Sequence, residues 1–153
     1  MAFKVFISYS TKDIEIVQHL KSMLQSSEVE VFVAEYSVTP GQLLHAEIIT
    51  AIKSCNLFIL LWSENSRASE WVPQEIGIAT GEKKTLIPVV LQPSMTLPGF
   101  IQDRKYLSAH NNPEEAFGWL KANVFEQAQK QAKSEGLVWL GLGAAFLWLL
   151  SQK

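Results

Sequence analysis

One carboxylate in this chain of 153 residues stands where a solvated acid does not belong. The stretch SEWVPQEIGIAT, Ser69 to Thr80, predicts a helix. Ser69 can accept the first free N–H groups, and Pro73 falls in the first turn, where no intrahelical partner is lost. At about 100° per residue, Trp71, Val72, Ile76, Ile78 and Ala79 share one side of that helix. Pro73, Gln74, Gly77 and Thr80 share the other. Glu75 falls near the middle of the apolar side, one turn from Trp71. Either Glu75 is paired within the core, or it faces a cavity and acts there.

Other chemistry is sparse. The histidines are His19, His45 and His110, and none has a second His or a Cys at metal-ligand spacing. They are expected on the surface or in loops. No Ser/His/Asp set can be assembled from spacing. The single cysteine, Cys55, sits at a helix-to-strand junction beside an apolar run, which favours burial as a small hydrophobe over use as a nucleophile. A lone cysteine also rules out an intrachain disulfide and fits a reducing compartment. There is no glycine-rich phosphate loop; GLGAAF near the C-terminus lacks the preceding strand that a dinucleotide turn requires.

The elements that must position Glu75 alternate along the chain. KVFISYS predicts a strand, and STKDIEIVQHLKSML a helix capped by Ser10 or Thr11, with Val17, Leu20 and Leu24 at helical spacing. VEVFVAE is a second strand, and YSVTPG a loop marked by Pro40 and Gly41. Leu44, Ile48 and Ile52 recur every four residues in a second helix. CNLFILLW reads as a strand buried on both faces. SENSRASE is a loop into the Glu75 helix, TLIPVVL a fourth strand and RKYLS a fifth. Asn112 caps a last helix, with Pro113 first and Phe117, Leu120 and Val124 on one face. Such alternation implies an α/β fold: a parallel sheet of about five strands with helices on both faces. Ligands of such sheets bind beyond the carboxyl ends of the strands, where SYSTKD, AEYSVTPGQ and SENSRASE converge.

Composition sets outer bounds. Apolar residues make up 48% and charged ones 18%, so one globular core is expected. A net charge of −2 without a Lys/Arg cluster argues against a nucleic-acid partner. The N-terminus MAFKVFISYS enters a strand pattern at once and does not resemble a signal peptide. Residues 127–135, QAQKQAKSE, read as a polar linker between a domain at 1–126 and the uncharged segment 136–150, GLVWLGLGAAFLWLL. As a helix that segment spans roughly 22 Å, against roughly 30 Å of bilayer hydrocarbon. Three readings stand for it: a short membrane anchor flanked by Trp139 and Trp148, a helix that self-associates or packs on the domain, or the remnant of a further domain. The anchor or self-association reading is favoured. Lys121, Lys130 and Lys133 before it would keep the domain on the cytoplasmic side.

Over about residues 3 to 125, three stretches in order resemble the Toll/interleukin receptor (TIR) domain family. FISYSTKD resembles its first box. VFVAEYSVTPGQLLHAEIITAIKSC resembles its second strand, BB loop and second helix, with Pro40-Gly41 in the usual place. FILLWSENSRASEWVPQEI resembles its third strand and the helix that carries a catalytic glutamate in enzymatic members. One departure is the stretch PGQLLHAE, where many members have a charged residue between Pro-Gly and the helix.

The resemblance implies a flavodoxin-like fold and two lines of function. One is cleavage of NAD⁺ at the nicotinamide–ribose bond, giving nicotinamide with ADP-ribose or a cyclic isomer, in microbial defence or stress signalling. The other is non-catalytic signalling by TIR–TIR assembly. Enzymatic members carry Trp-x-x-x-Glu at the helix start, matched by Trp71 and Glu75. NAD⁺ is then the substrate, and no other cofactor or metal is implied. Glu75 becomes the catalytic residue. Ser8, Tyr9, Ser10, Phe32, Tyr36, Gly41 and Trp71 become the substrate-binding set, with Phe32 also readable as core and Gly41 as a loop former. A phospho-acceptor or flavin-binding flavodoxin-like domain is disfavoured; a receiver would want acidic residues clustered at the strand ends, including an aspartate to be phosphorylated, and these loops do not supply them.

Overall fold

A computed structural model describes residues 2–34 and 45–133. Five strands form one parallel sheet: β1 (Phe3–Ser8), β2 (Val29–Val33), β3 (Leu57–Trp62), β4 (Leu86–Val90) and β5 (Leu107–Ser108), in the order β2-β1-β3-β4-β5. The helices are α1 (Ile14–Leu24), α2 (Ala46–Ser54), a short α3 (Glu64–Arg67), α4 (Val72–Gly81) and α5 (Pro113–Lys133), with 3-10 turns at Thr11–Asp13 and Gly99–Ile101. The parallel sheet expected from the alternation is present, in the flavodoxin-like arrangement that the resemblance implies.

Side chains alternate across the sheet, and that alternation divides the core in two. Val5, Ile7, Val31, Ile59, Leu61 and Val89 face α1 and α5. Phe6, Phe58, Leu60, Trp62 and Val90 face α2 and α4. The second face carries a ladder of rings set by strand register. Phe6 lies opposite Phe32 on β2 and Phe58 on β3, and its ring stacks on theirs at 5.4 Å and 5.3 Å. All six residues of β3 are buried, as its unbroken apolar run requires.

The ends of elements follow local chemistry. The Ser10 hydroxyl accepts from the Lys12 N–H and opens the first helical turn. Asn112 accepts from the Glu115 N–H at 3.2 Å and starts α5 one residue before Pro113. α4 ends in a Schellman turn: the Lys84 N–H reaches the Ala79 carbonyl, the Lys83 N–H reaches Thr80, and Lys83 sits at φ 56°. The Lys84 ammonium crosses to the carbonyls of Lys53 at 2.5 Å and Cys55 at 3.1 Å, so it caps the C-terminus of α2.

Two expectations change. SENSRASE is not wholly loop: Glu64–Arg67 forms the short helix α3, closed by a reciprocal cap between Ser63 and Ser66. The linker expected at 127–135 begins inside α5, which runs through Lys133 with Gln127 and Ala128 buried. A polar composition was misleading there, because one buried face is enough to continue a helix. The apolar segment 136–150 lies outside the described residues. Among the described residues, no helix is long and apolar enough to cross a membrane.

Candidate functional site

In the order β2-β1-β3-β4-β5, the chain direction of assembly reverses between β1 and β3. At such a switch point the loops leaving the two strands part, and a crevice opens beyond their carboxyl ends. Here its walls are Ser8 to Asp13 on one side and Ser63 to Glu75 on the other. A small cleft of about 180 Å³ lies between them, lined by Tyr9, Ser10, Thr11, Lys12, Asn65, Ala68, Ser69, Glu70 and Trp71.

Glu75 occupies the first turn of α4 and has no exposed surface. The Ser8 hydroxyl donates to its Oε1 at 2.6 Å. Ser8, the last residue of β1, is itself fully buried. Phe6 faces α2 and α4, so the period of two turns Ser8 toward the same helices. Glu75 is therefore tied to the sheet across 67 residues of sequence. The start of α4 is fixed from outside the helix by Ser69, whose hydroxyl accepts from the N–H groups of Trp71 at 3.2 Å and Val72 at 3.3 Å. Pro73 completes the first turn without losing a bond.

A second tie spans the crevice. Asp13 accepts from the Ser63 hydroxyl at 2.6 Å through Oδ2, and from the Asn65 amide at 2.9 Å through Oδ1. Ser66 accepts from the Ser63 N–H and donates to the Leu61 carbonyl at 2.5 Å. The Glu64 N–H is met by the Gln92 side chain at 2.7 Å. Together these bonds hold the β1–α1 turn against α3, which leads into α4.

The residues expected around Glu75 do not all gather there. Ser8 does. Trp71 is buried immediately before α4 and borders the cleft. Ser10 borders the same cleft while capping its turn. Tyr9 packs with the α1–α5 face of the core, opposite in alternation to Ser8, and its hydroxyl donates to the Ala34 carbonyl just beyond β2. Tyr9 still borders the cleft. Phe32 is half-buried at the end of the aromatic ladder. Tyr36 and Gly41 lie outside the described residues. Asp13, Ser63, Asn65 and Ser66 were not singled out from sequence. Ser63 and Ser66, three residues apart at capping distance, were the available signal.

A model of the TIR domain family matches residues 5–120, most of the chain. The chain belongs to the TIR domain family. The TIR domain of the Toll-related receptor TRR-2 from Hydra magnipapillata has the same fold, at 22% identity and a TM-score of 0.59 over 82% of this chain and 97% of that one. A CMP N-glycosidase from Clostridium botulinum, BcmB, superposes with a TM-score of 0.53 at 18% identity, over 76% of this chain and 97% of its own. No curated protein matches the chain.

In this TIR domain the cleft is lined by the hydroxyl-bearing Ser10, Thr11 and Ser69 and by Trp71, and the Glu75 carboxylate lies buried one turn beyond Trp71. Among the described residues, no cluster of His, Cys, Asp and Glu can hold a metal ion. Cys55 is buried on the α2–α4 face, away from the strand ends that form the crevice. Burial pushes its thiol up from 9.0 to about 11, against a smaller opposing pull from Lys84. A thiol that stays neutral is a poor nucleophile.

Proposed function

We propose that this TIR domain is an NAD⁺ glycohydrolase with Glu75 as its catalytic carboxylate. The observation that carries the reading is the placement of a buried carboxylate, in Trp71-x-x-x-Glu75, at the switch-point crevice with its orientation fixed from β1. The Clostridium botulinum relative in fold is named as a CMP N-glycosidase, which adds that this architecture can house cleavage of a nucleotide's N-glycosidic bond.

The chemistry needs little more than one carboxylate. When the bond between ribose C1′ and the nicotinamide nitrogen breaks, its electron pair stays with nitrogen. The cationic pyridinium thereby becomes neutral nicotinamide, so the leaving group needs no proton. Positive charge develops on the ribose instead. A carboxylate held against the ring stabilises that charge, and more strongly where water is excluded. Water adding to C1′ and losing its proton gives ADP-ribose. A nucleophilic atom of the same molecule gives a cyclic isomer. A glycosidase with an alkoxide leaving group would need a second carboxyl group as acid.

Glu75 has no exposed surface, so a substrate meets it only after neighbouring residues shift. We propose that TIR–TIR contacts supply that shift and that activity rises with protein concentration. The apolar segment 136–150 would raise local concentration, by anchoring the chain to the cytoplasmic face of a membrane or by associating with itself. The decisive experiment incubates the protein with NAD⁺ at several concentrations, with and without vesicles, and quantifies nicotinamide. Wild type is expected to release it, and Glu75→Gln to be slower by about 10³-fold. Equal release from both would remove Glu75 from the chemistry.

The same burial favours a second reading, in which Glu75 is a structural acid of a non-catalytic TIR adaptor. No nicotinamide in any assembly state, together with a lowered Tm for Glu75→Gln, is the outcome that selects it.

A further inference from the structure

We infer that Ser8 is the positioning residue of Glu75: its hydroxyl, fixed at the end of β1, orients the carboxylate and keeps it ionised, and does not itself contact the ligand. The inference rests on the reading of Glu75 as the working acid, and it changes the role expected of Ser8 from sequence.

Three observations carry it. Ser8, like Glu75, has no exposed surface, and its hydroxyl is directed at the carboxylate. Its single O–H proton is spent on Glu75 Oε1 at 2.6 Å, the short range of a hydroxyl bound to a charged acceptor. Its backbone ends a strand paired on both sides: β1 pairs with β2 as far as Ile7 and with β3 through Ser8, which lies opposite Leu60. A side chain with one rotatable bond on such a strand has few positions available. Glu75, by contrast, reaches from its helix through a longer side chain and needs an external reference for its final torsion.

The bond also acts on charge. Burial favours the neutral form of a carboxyl group, and each hydrogen bond donated to it favours the anion. Only the anion can steady a cationic sugar. Ser8 thus serves orientation and ionisation with one proton that never moves.

The test compares wild type with Ser8→Ala and Ser8→Thr, reading kcat, KM and their pH dependence for nicotinamide release. Ser8→Ala is expected to lower kcat by about 10- to 100-fold with KM changed less than about twofold, as misplacement of a reacting group does. The midpoint of the acid limb of kcat is expected to move to higher pH. Ser8→Thr, which keeps the hydroxyl, is expected to recover most of both effects. Circular dichroism and Tm check that each variant is folded. A KM raised alone would make Ser8 a ligand contact and overturn the inference, as would an unchanged kcat and acid limb.

A second readout needs no substrate. The ¹³C carboxyl resonance of Glu75, assigned by its loss in Glu75→Gln, is titrated in wild type and in Ser8→Ala. An upward move of the midpoint in Ser8→Ala is expected, and an unmoved one overturns the inference. Should wild type release no nicotinamide, the NAD⁺ reading falls, while this titration still decides whether Ser8 governs the charge of Glu75.

Discussion

At the scale of single residues, burial decides which groups can react. Glu75 and Cys55 are both buried, yet a hydroxyl meets the first while apolar packing surrounds the second. Cys55 should therefore behave as a hydrophobe. At pH 8 a thiol-labelling reagent is expected to modify well under one thiol per native chain over minutes, and one per chain in urea. The raised value of about 11 has a further consequence for stability. Below the unfolded value of 9.0 the thiol is neutral in both states and its burial contributes in full. As pH rises from 9.0 toward 11 the unfolded thiol ionises first, so that contribution is lost. Urea melts at pH 7 and pH 10.5 should show a smaller loss of stability in Cys55→Ala than in wild type.

Elements are set by their ends, and two ends here can be tested. Lys83 occupies a left-handed position that glycine adopts without strain. Lys83→Gly is expected to stabilise the fold by about 0.5–1 kcal/mol in denaturant melts. At the crevice, Asp13→Ala removes the acceptor shared by Ser63 and Asn65. A cost of about 2 kcal/mol is expected, because hydrogen bonds to a charged group are worth more than neutral ones. Nicotinamide release should fall as well, since α3 loses its tether next to α4. Much at this scale was legible in the sequence. Strand runs, the Ser10 and Asn112 caps and the face of Phe117, Leu120 and Val124 follow from spacing that local physics fixes. α3 was not legible, because four residues between serines carry too little periodicity to separate a helical turn from a loop. Nor was the extension of α5 through Lys133, where Gln127 turns inward against its polarity.

For the molecule as a whole, the sheet explains why the site could be only half read. Alternating runs announce a parallel sheet, and a parallel sheet announces a crevice at its switch point, so the neighbourhood of Glu75 follows from pattern alone. Which side chain meets Glu75 does not. Ser8 and Tyr9 are adjacent in sequence and were expected together, but one residue of strand sends them to opposite faces. Assembly belongs to this scale too. If segment 136–150 concentrates the domain, a chain ending at Lys133 should remain folded yet lose activity at low concentration and regain it at high concentration. Gel filtration and nicotinamide release on both lengths check this, and equal activity at every concentration would dismiss the segment's part.

The sequence separation of 67 between Ser8 and Glu75 also sets a clock. During synthesis β1 leaves the ribosome long before α4 exists. Until the chain has grown past Gly81, the hydroxyl of Ser8 has no carboxylate to receive its proton, and β1 has an incomplete roof on one face. Nascent chains stalled before residue 75 should therefore be open to protease, and those stalled beyond α4 and clear of the exit tunnel should begin to resist it. The bond between Ser8 and Glu75 becomes possible once α4 has emerged, before β4, β5 and α5 complete the sheet and cover the other face of β1.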